Sequence, residues 1–273
     1  MNRVSVARRT LRVFCGPGVF AWRLAVSVWL AAISAQAQKP FAPPRLYDNV
    51  TPDFRGIWET RSTAYVNIEG HPAQKGAQAS KSIIVDPADG KIPYQPAFAK
   101  RDENFKNRVT ADPGSKCSQA GVPRATYLPS PLQIVQSPGN FAIVYQDVHA
   151  YRIIYLDERP FYERIDWWMG DSRGRWEGDS LVVDVRDLNS ETWFDQAGNH
   201  HSEDMRVIER YTLTGPDTLL YEATMTDSKV FTRPWKISVT LERHKEPGFR
   251  IIEDECLEDA NGVRRHVSPF TKR

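Results

Sequence analysis

The sequence predicts a mainly β protein, one antiparallel sheet closed into a barrel, with a two-sheet sandwich as the alternative. Three observations carry this reading. Short β-rich segments recur along the chain, punctuated by turn signals at intervals of about a dozen residues. Several alternate strictly: Trp235, Ile237, Val239 and Leu241 against Lys236, Ser238, Thr240 and Glu242, and Leu219, Tyr221, Ala223 and Met225 against Glu222, Thr224 and Thr226. That is the pattern of half-buried strands with one wet face. Finally, no long amphipathic helix separates the segments, which excludes a doubly wound α/β sheet. Closure removes the exposed edges that so many strands would otherwise create.

The elements follow in chain order. Residues 1–37 hold five arginines and no acid, an apolar run from Leu24 to Ile33, and Ala35-Gln36-Ala37 before Gln38. This is the pattern of a cleaved export signal, with a retained membrane anchor as the alternative. An apolar run that short is about half of what spans a bilayer as a helix. The mature chain is therefore expected to be periplasmic or secreted, with no membrane span after cleavage. Residues 38–55 form a proline-rich arm, and 56–273 a single β domain. Strands are expected at Gly56–Thr60, Ser82–Val85, Leu132–Gln136, Phe141–Tyr145, Arg152–Leu156, Leu181–Val185, Arg206–Leu213, Thr218–Thr226, Trp235–Glu242 and Phe249–Glu255. Turns are explicit at Ser137-Pro138-Gly139-Asn140, Glu177-Gly178-Asp179, Gly215-Pro216-Asp217 and Glu246-Pro247-Gly248. Polar, aperiodic stretches at 69–80 and 99–120 read as long loops, the second with a short helix around Ala97–Arg108.

Charge and cysteines narrow the partners. The chain carries a formal +2; taking away the five arginines of the leader leaves −3 for the remainder, which argues against nucleic acid. With Cys15 removed, Cys117 and Cys256 are an even pair in an oxidising compartment and are expected to bridge, the alternative being two separate buried thiols. Their spacing fits no zinc module. No Gly-rich phosphate loop, dinucleotide fingerprint, CxxC or HExxH occurs, so no cofactor is expected.

Two resemblances can be named on particular residues. Gly56-Ile57-Trp58 on the first expected strand resembles the Gly-x-Trp of lipocalin and calycin barrels, where the Trp closes the base, often under an Arg from a late strand. The segments Ile84–Pro93, Cys117 with Gly121–Arg124, Val148–Ile154, Trp168–Asp179, Glu209–Tyr211 and Thr232–Trp235 are similar to a broad group of uncharacterised exported bacterial proteins. The first resemblance implies a lipocalin-like barrel with long loops over one mouth and Trp58 at the closed end. The second implies export and one recurring domain, and no activity.

Four places could carry chemistry. In an extended segment Asp147 and His149 share a face, so a carboxylate would orient an imidazole suited to acid–base work; otherwise His149 packs on Tyr151 or caps a hairpin. Trp168–Trp176 reads as a constrained turn. There Arg173 or Arg175 could clamp a carboxylate or phosphate while Trp168 stacks on an apolar ring, or Asp171 and an Arg could simply lock the turn. The Gly170-x-Ser172-x-Gly174 spacing is not a nucleophile elbow, because no long helix follows it. Asp195, His200, His201 and Asp204 are metal-ligand types, read here as a polar loop with solvated histidines and no metal. Glu209 shares an apolar face with Met205, Val207, Tyr211 and Leu213, and Glu253 does so with Phe249 and Ile251. Such acids must be paired, Arg152, Arg210 and Arg233 being available, either structurally or as the polar end of a ligand cavity.

Together these give an exported barrel that binds a small, mostly apolar molecule in an aromatic cavity. The candidate ligand-binding residues are Arg152, Trp168, Trp176 and Glu209. The alternatives are a cofactor-independent isomerase, lyase or hydrolase using His149, Asp171 and Arg173, and a structural envelope component. His149 and the arginine-rich turn are expected to face one pocket, since consecutive strands usually neighbour each other.

Overall fold

In a computed structural model, residues 41–98, 101–162, 165–252, 255–258 and 264–267 are described. The expected export signal and Glu253 lie outside these residues. The strands are β1 (Gly56–Thr60), β2 (Gly70–His71), β3 (Ser80–Lys81), β4 (Ile84–Asp86), β5 (Leu132–Ser137), β6 (Asn140–Tyr145) and β7 (Tyr151–Tyr155). They continue as β8 (Asp171–Glu177), β9 (Ser180–Arg186), β10 (Arg206–Gly215), β11 (Thr218–Thr226), β12 (Trp235–Arg243), β13 (Glu255–Glu258) and β14 (Arg264–Val267). One α-helix, α1, spans Arg101–Ala111. It begins four residues later than the sequence suggests.

Nine strands close a barrel in the order β1-β5-β6-β7-β8-β9-β10-β11-β12, with β12 pairing back onto β1. The expected closed barrel is what the chain forms. β12 gives its free edge to β1 near Arg243 and to β4 near Lys236, so β4 continues the course of β1. Eight of the nine seams are antiparallel; β7 and β8 run parallel and pair through Tyr155 and Arg173 alone. Parallel neighbours need a crossover. The connection between Tyr155 and Asp171 supplies it, and its described residues pack beside β7 and β8 through Phe161, Tyr162 and Trp167.

Two expectations fail here. Asp171–Glu177 is a strand where the sequence reads as a turn. Its inward positions are Ser172, Gly174 and Trp176, of which only the last is a large apolar residue, so it shows no apolar alternation. A Cβ on Gly174 would stand 2.6 Å from Ile154 Cγ2, so the close approach of β7 requires the glycine. The strand expected at Phe249–Glu255 does not form over 249–252; pairing begins at Glu255, where β13 meets β14.

The turns β5–β6, β8–β9 and β10–β11 are tight and lie at one end, and the long connections 61–131, 187–205 and 227–234 at the other. Both ends are plugged. At the tight-turn end the arm packs Phe54 edge-on against Phe141 and Trp176, with ring centroids at 6.3 and 5.3 Å. Gln136 bonds the arm's backbone at Phe54 N and Pro52 O. Trp58 is fully buried, donates to Phe54 O at 3.0 Å, and lies under the Arg243 guanidinium at 4.2 Å. This is the arrangement that the calycin resemblance implies, Trp58 at the closed end beneath a late-strand Arg. At the other end Phe194, Phe231 and Trp235 pack together at 5.1–6.2 Å, and Tyr127 donates to Phe194 O at 2.7 Å. Between the plugs the axis is filled by Leu132, Ile134, Ile143, Val183, Val207, Tyr211, Tyr221, Ile237 and Leu241, all buried. Each such side chain contributes about 1.5–3 kcal/mol by leaving water.

The bridge between Cys117 and Cys256 is formed, with Cα atoms 5.4 Å apart and 139 residues between them in sequence. It ties the connection before β5 to β13. No helix among the described residues is long and apolar enough to cross a membrane.

Candidate functional site

β7 reads Tyr-Arg-Ile-Ile-Tyr, and its pleat places Arg152 and Ile154 inside the barrel and Tyr151 and Ile153 outside. The strand is thus inverted: a charge faces in, and a tyrosine ring and an isoleucine face out. Because β7 and β8 pair at one point only, Tyr151 and Arg152 come level with Met169 and Gly170 across a slit, not a hydrogen-bonded seam. A hollow of about 400 Å³ opens there, within the range of small-molecule sites. Five aromatic side chains wall it, Tyr151 and Tyr155 from β7 and Tyr162, Trp167 and Trp168 from the crossover. Tyr151, Tyr162 and Trp167 remain 66, 56 and 41 % exposed. Gly170, in the left-handed region at φ +68°, lets the chain pass close over Val185 and Leu188 on its way into β8.

Asp171 and Arg173 fix the crossover. Arg173 donates from Nε to Arg159 O, from Nη1 to Asp171 Oδ1 and Ser172 O, and from Nη2 to Pro160 O and Asp171 Oδ2. A guanidinium has five N–H groups, and these five bonds use them all. Its plane also rests on Phe161 and Tyr155, 4.7 and 5.0 Å from the ring centroids. Asp171 Oδ2 accepts from Tyr162 N as well. The pair locks the segment, the structural alternative of the sequence reading, and Arg173 keeps no donor for an anion.

Inside the wall, Arg152 meets Glu209. Arg152 Nη2 donates to Glu209 Oε2 at 2.7 Å and to the Tyr211 hydroxyl at 3.2 Å, while Tyr211 and Tyr221 donate to Glu209 Oε1 at 3.0 and 2.9 Å. Burial works against the Arg152 charge, but the Glu209 carboxylate prevails and holds it well above its usual range. Burial likewise raises the Tyr211 and Tyr221 hydroxyls far above theirs. Arg152 Nε and Nη1 have no hydrogen-bond partner among the described residues, although both are buried.

Arg152, Trp168 and Asp171 line the one hollow, and Glu209 joins it indirectly through Arg152. Trp176 does not: it sits in the plug at the tight-turn end. Asp147–His149 is a single 3-10 turn with Val148 left-handed at φ 44°, not an extended strand. For a β-branched residue that conformation costs about 1–2 kcal/mol, and it ends the two-residue alternation that would put Asp147 and His149 on one face. The His149 side chain lies outside the described residues. Tyr151, Ile153, Tyr155, Tyr162 and Trp167, which also line the hollow, are not among the binding residues that the sequence suggests. The inverted apolar face of β7 was the available signal.

The loop histidines are buried, not solvated. His201 Nδ1 donates to Ser202 O at 2.8 Å, which makes Nε2 the acceptor of the Thr192 hydroxyl at 2.7 Å. Burial lowers this imidazole to about 4. His200 stacks on Tyr94 with centroids 5.5 Å apart. Asp195, fully buried, accepts from Ile68 N, Ala197 N, Asn199 N and Asn199 Nδ2, and burial raises its carboxyl to about 6. Among the described residues no group of three or more His, Cys, Asp or Glu is arranged to hold a metal.

No protein-family model and no curated protein matches the chain. Among solved structures, a point-mutant form of the fluorescent protein UnaG is similar at 13 % identity over 43 % of this chain and 73 % of that one, with a TM-score of 0.26. The barrel assignment rests on the strand pairing described above.

Proposed function

We propose that this is an exported β-barrel protein that binds a small, mostly apolar molecule in the aromatic hollow between β7 and the crossover. The observation that carries the reading is the hollow: five aromatic rings around about 400 Å³, three of them substantially exposed on a wall whose other inward face is packed. Such an exposed apolar patch on an otherwise well-buried fold marks an interaction site. The crossover is held rigid by Asp171 and Arg173, so the hollow is preformed and the ligand bears little ordering cost. Export is supported by the arginine-rich, apolar and small-residue succession of residues 1–37 and by the disulfide.

Titration with 2-methylnaphthalene tests the site, because Trp167 and Trp168 report on it by fluorescence. Saturable quenching is expected in the wild type, with affinity about tenfold weaker or worse in Trp168→Ala, the order of one lost aromatic contact plus its buried area. Non-saturable quenching, or unchanged affinity in the variant, overturns the reading. A structural envelope component is the second reading, favoured by the filled axis and the plugs at both ends; it predicts no saturable binding at all. The acid–base alternative centred on His149 gains no support from the 3-10 turn that carries it.

A further inference from the structure

The rings around the hollow are all Tyr or Trp, with no Phe among them. Their faces carry the negative end of the ring quadrupole and attract cations. The crossover already uses rings in this way: Arg159 lies 3.9 Å over the Tyr155 centroid, and Arg173 and Arg186 lie 4.7 and 4.3 Å over that of Phe161. Tyr151, Tyr162, Trp167 and Trp168 carry no such cation among the described residues. Tyr162 and Trp167 form an angled pair, with centroids 6.5 Å apart and planes tilted by 56°. The arginines nearby are spent. Arg152 turns its guanidinium into the barrel towards Glu209, and Arg173 gives its donors to Asp171 and to backbone carbonyls. An anion entering the hollow therefore meets no unspent guanidinium.

The geometry points to a weakly hydrated organic cation, a quaternary ammonium on an apolar body, its head held among Tyr151, Tyr162, Trp167 and Trp168. This rests on the binding reading above and specifies the ligand class. The surrounding charge has the matching sign. The stretch from Tyr155 to Arg173 holds five acids against three arginines. Asp187, whose carbonyl accepts from Trp167 N at 2.7 Å, adds another carboxylate beside it. Burial, and after it the neighbouring Asp171 and Asp166 carboxylates, raises the Asp187 carboxyl above its ordinary range, so these acids lie close enough to repel one another. A quaternary ammonium has no N–H to satisfy and sheds its water readily, so ring faces suffice to hold it. A carboxylate would meet like charge, and a neutral body would gain burial without the attraction of the rings.

Calorimetric titration of the disulfide-bonded mature protein with (4-hydroxymethylphenyl)trimethylammonium, 4-tert-butylbenzyl alcohol and 4-tert-butylbenzoate separates the ideas. The first two share one shape and differ by a single charge. The cation is expected to bind about tenfold tighter than the alcohol, the scale of cation–ring attraction in a partly desolvated site, and the benzoate more weakly than the alcohol. Equal affinities for cation and alcohol overturn the cation inference while the binding site stands. Tightest binding of the benzoate overturns the charge argument and the inference with it. Failure of all three overturns the site itself. The paired substitution Tyr162→Leu with Trp167→Leu keeps the wall apolar but removes two ring faces. It should lower the cation-to-alcohol affinity ratio about threefold or more; an unchanged ratio overturns the role of these rings.

Discussion

Glu209 can stand fully buried on β10 because Arg152, Tyr211 and Tyr221 all turn their polar ends toward it. Removing one member of a buried pair strands the other, so Glu209→Gln should lower unfolding free energy by about 3–5 kcal/mol. The double change Arg152→Met with Glu209→Gln should recover most of that loss. Urea unfolding decides it, and a double variant no more stable than the single would refute the pairing argument. The pair was legible in the sequence, since an acid at the centre of an alternating apolar strand face has to be neutralised. Asp195 and His201 were not, because burial of a loop leaves no periodic trace. Their titrations oppose each other. Asp195 moves from 3.8 to about 6 on folding, so its contribution is complete below its unfolded value and is lost as pH rises through about 6. His201 moves from 6.5 to about 4, so its contribution is present above 6.5 and is lost as pH falls through about 4. Each is worth on the order of 3 kcal/mol at about 1.4 kcal/mol per unit, and between these limits they nearly cancel. Asp195→Asn removes one side: relative to wild type, its unfolding free energy should climb as pH rises from about 4 to about 6. A pH-independent difference between the two proteins would exclude the buried acid.

At the scale of elements, the parallel β7–β8 seam makes the hollow, and the sequence concealed it. β8 alternates charge with Ser172 and Gly174, small residues required by the approach of Ile154 and Leu156, so it shows neither strand pattern nor helix pattern. Strands with apolar alternation were legible nearly to the residue: β1 and β11 begin and end where their patterns do. Reading Trp168–Trp176 as a turn hid the strand Asp171–Glu177 and, with it, the crossover that precedes it. Arg173 holds that crossover with two hydrogen bonds, to Arg159 O and Pro160 O, and with its plane on the Phe161 ring. Lysine retains the charge but lacks the planar fork. Arg173→Lys should therefore free the crossover, seen as rapid proteolysis between Leu156 and Gly170 while the barrel core resists, together with loss of 2-methylnaphthalene binding. Unaltered protection of the crossover in this variant would show that the guanidinium is not its clamp.

At the scale of the whole molecule, the barrel is closed by pairing but secured by three attachments that are remote in sequence. The arm packs Phe54 into the tight-turn end, the long loops pack Phe194 and Phe231 into the other, and Cys117–Cys256 joins the connection before β5 to β13. Only the last is covalent. Cross-linking across 139 residues restricts the unfolded chain far more than the folded one, and bridges of this kind contribute about 2–4 kcal/mol. Reductant, or Cys117→Ser with Cys256→Ser, should thus shift the urea midpoint downward without opening the barrel, because nine closed seams hold independently of the bridge. The same cysteines report on export. The full chain has three, of which Cys15 lies within the expected signal. Protein recovered after signal removal should titrate no thiol under denaturing, non-reducing conditions, whereas chain that keeps residues 1–37 should titrate one. Two or more reactive thiols in the mature protein would mean that the bridge is absent in solution, and the stability shift with reductant would vanish with it.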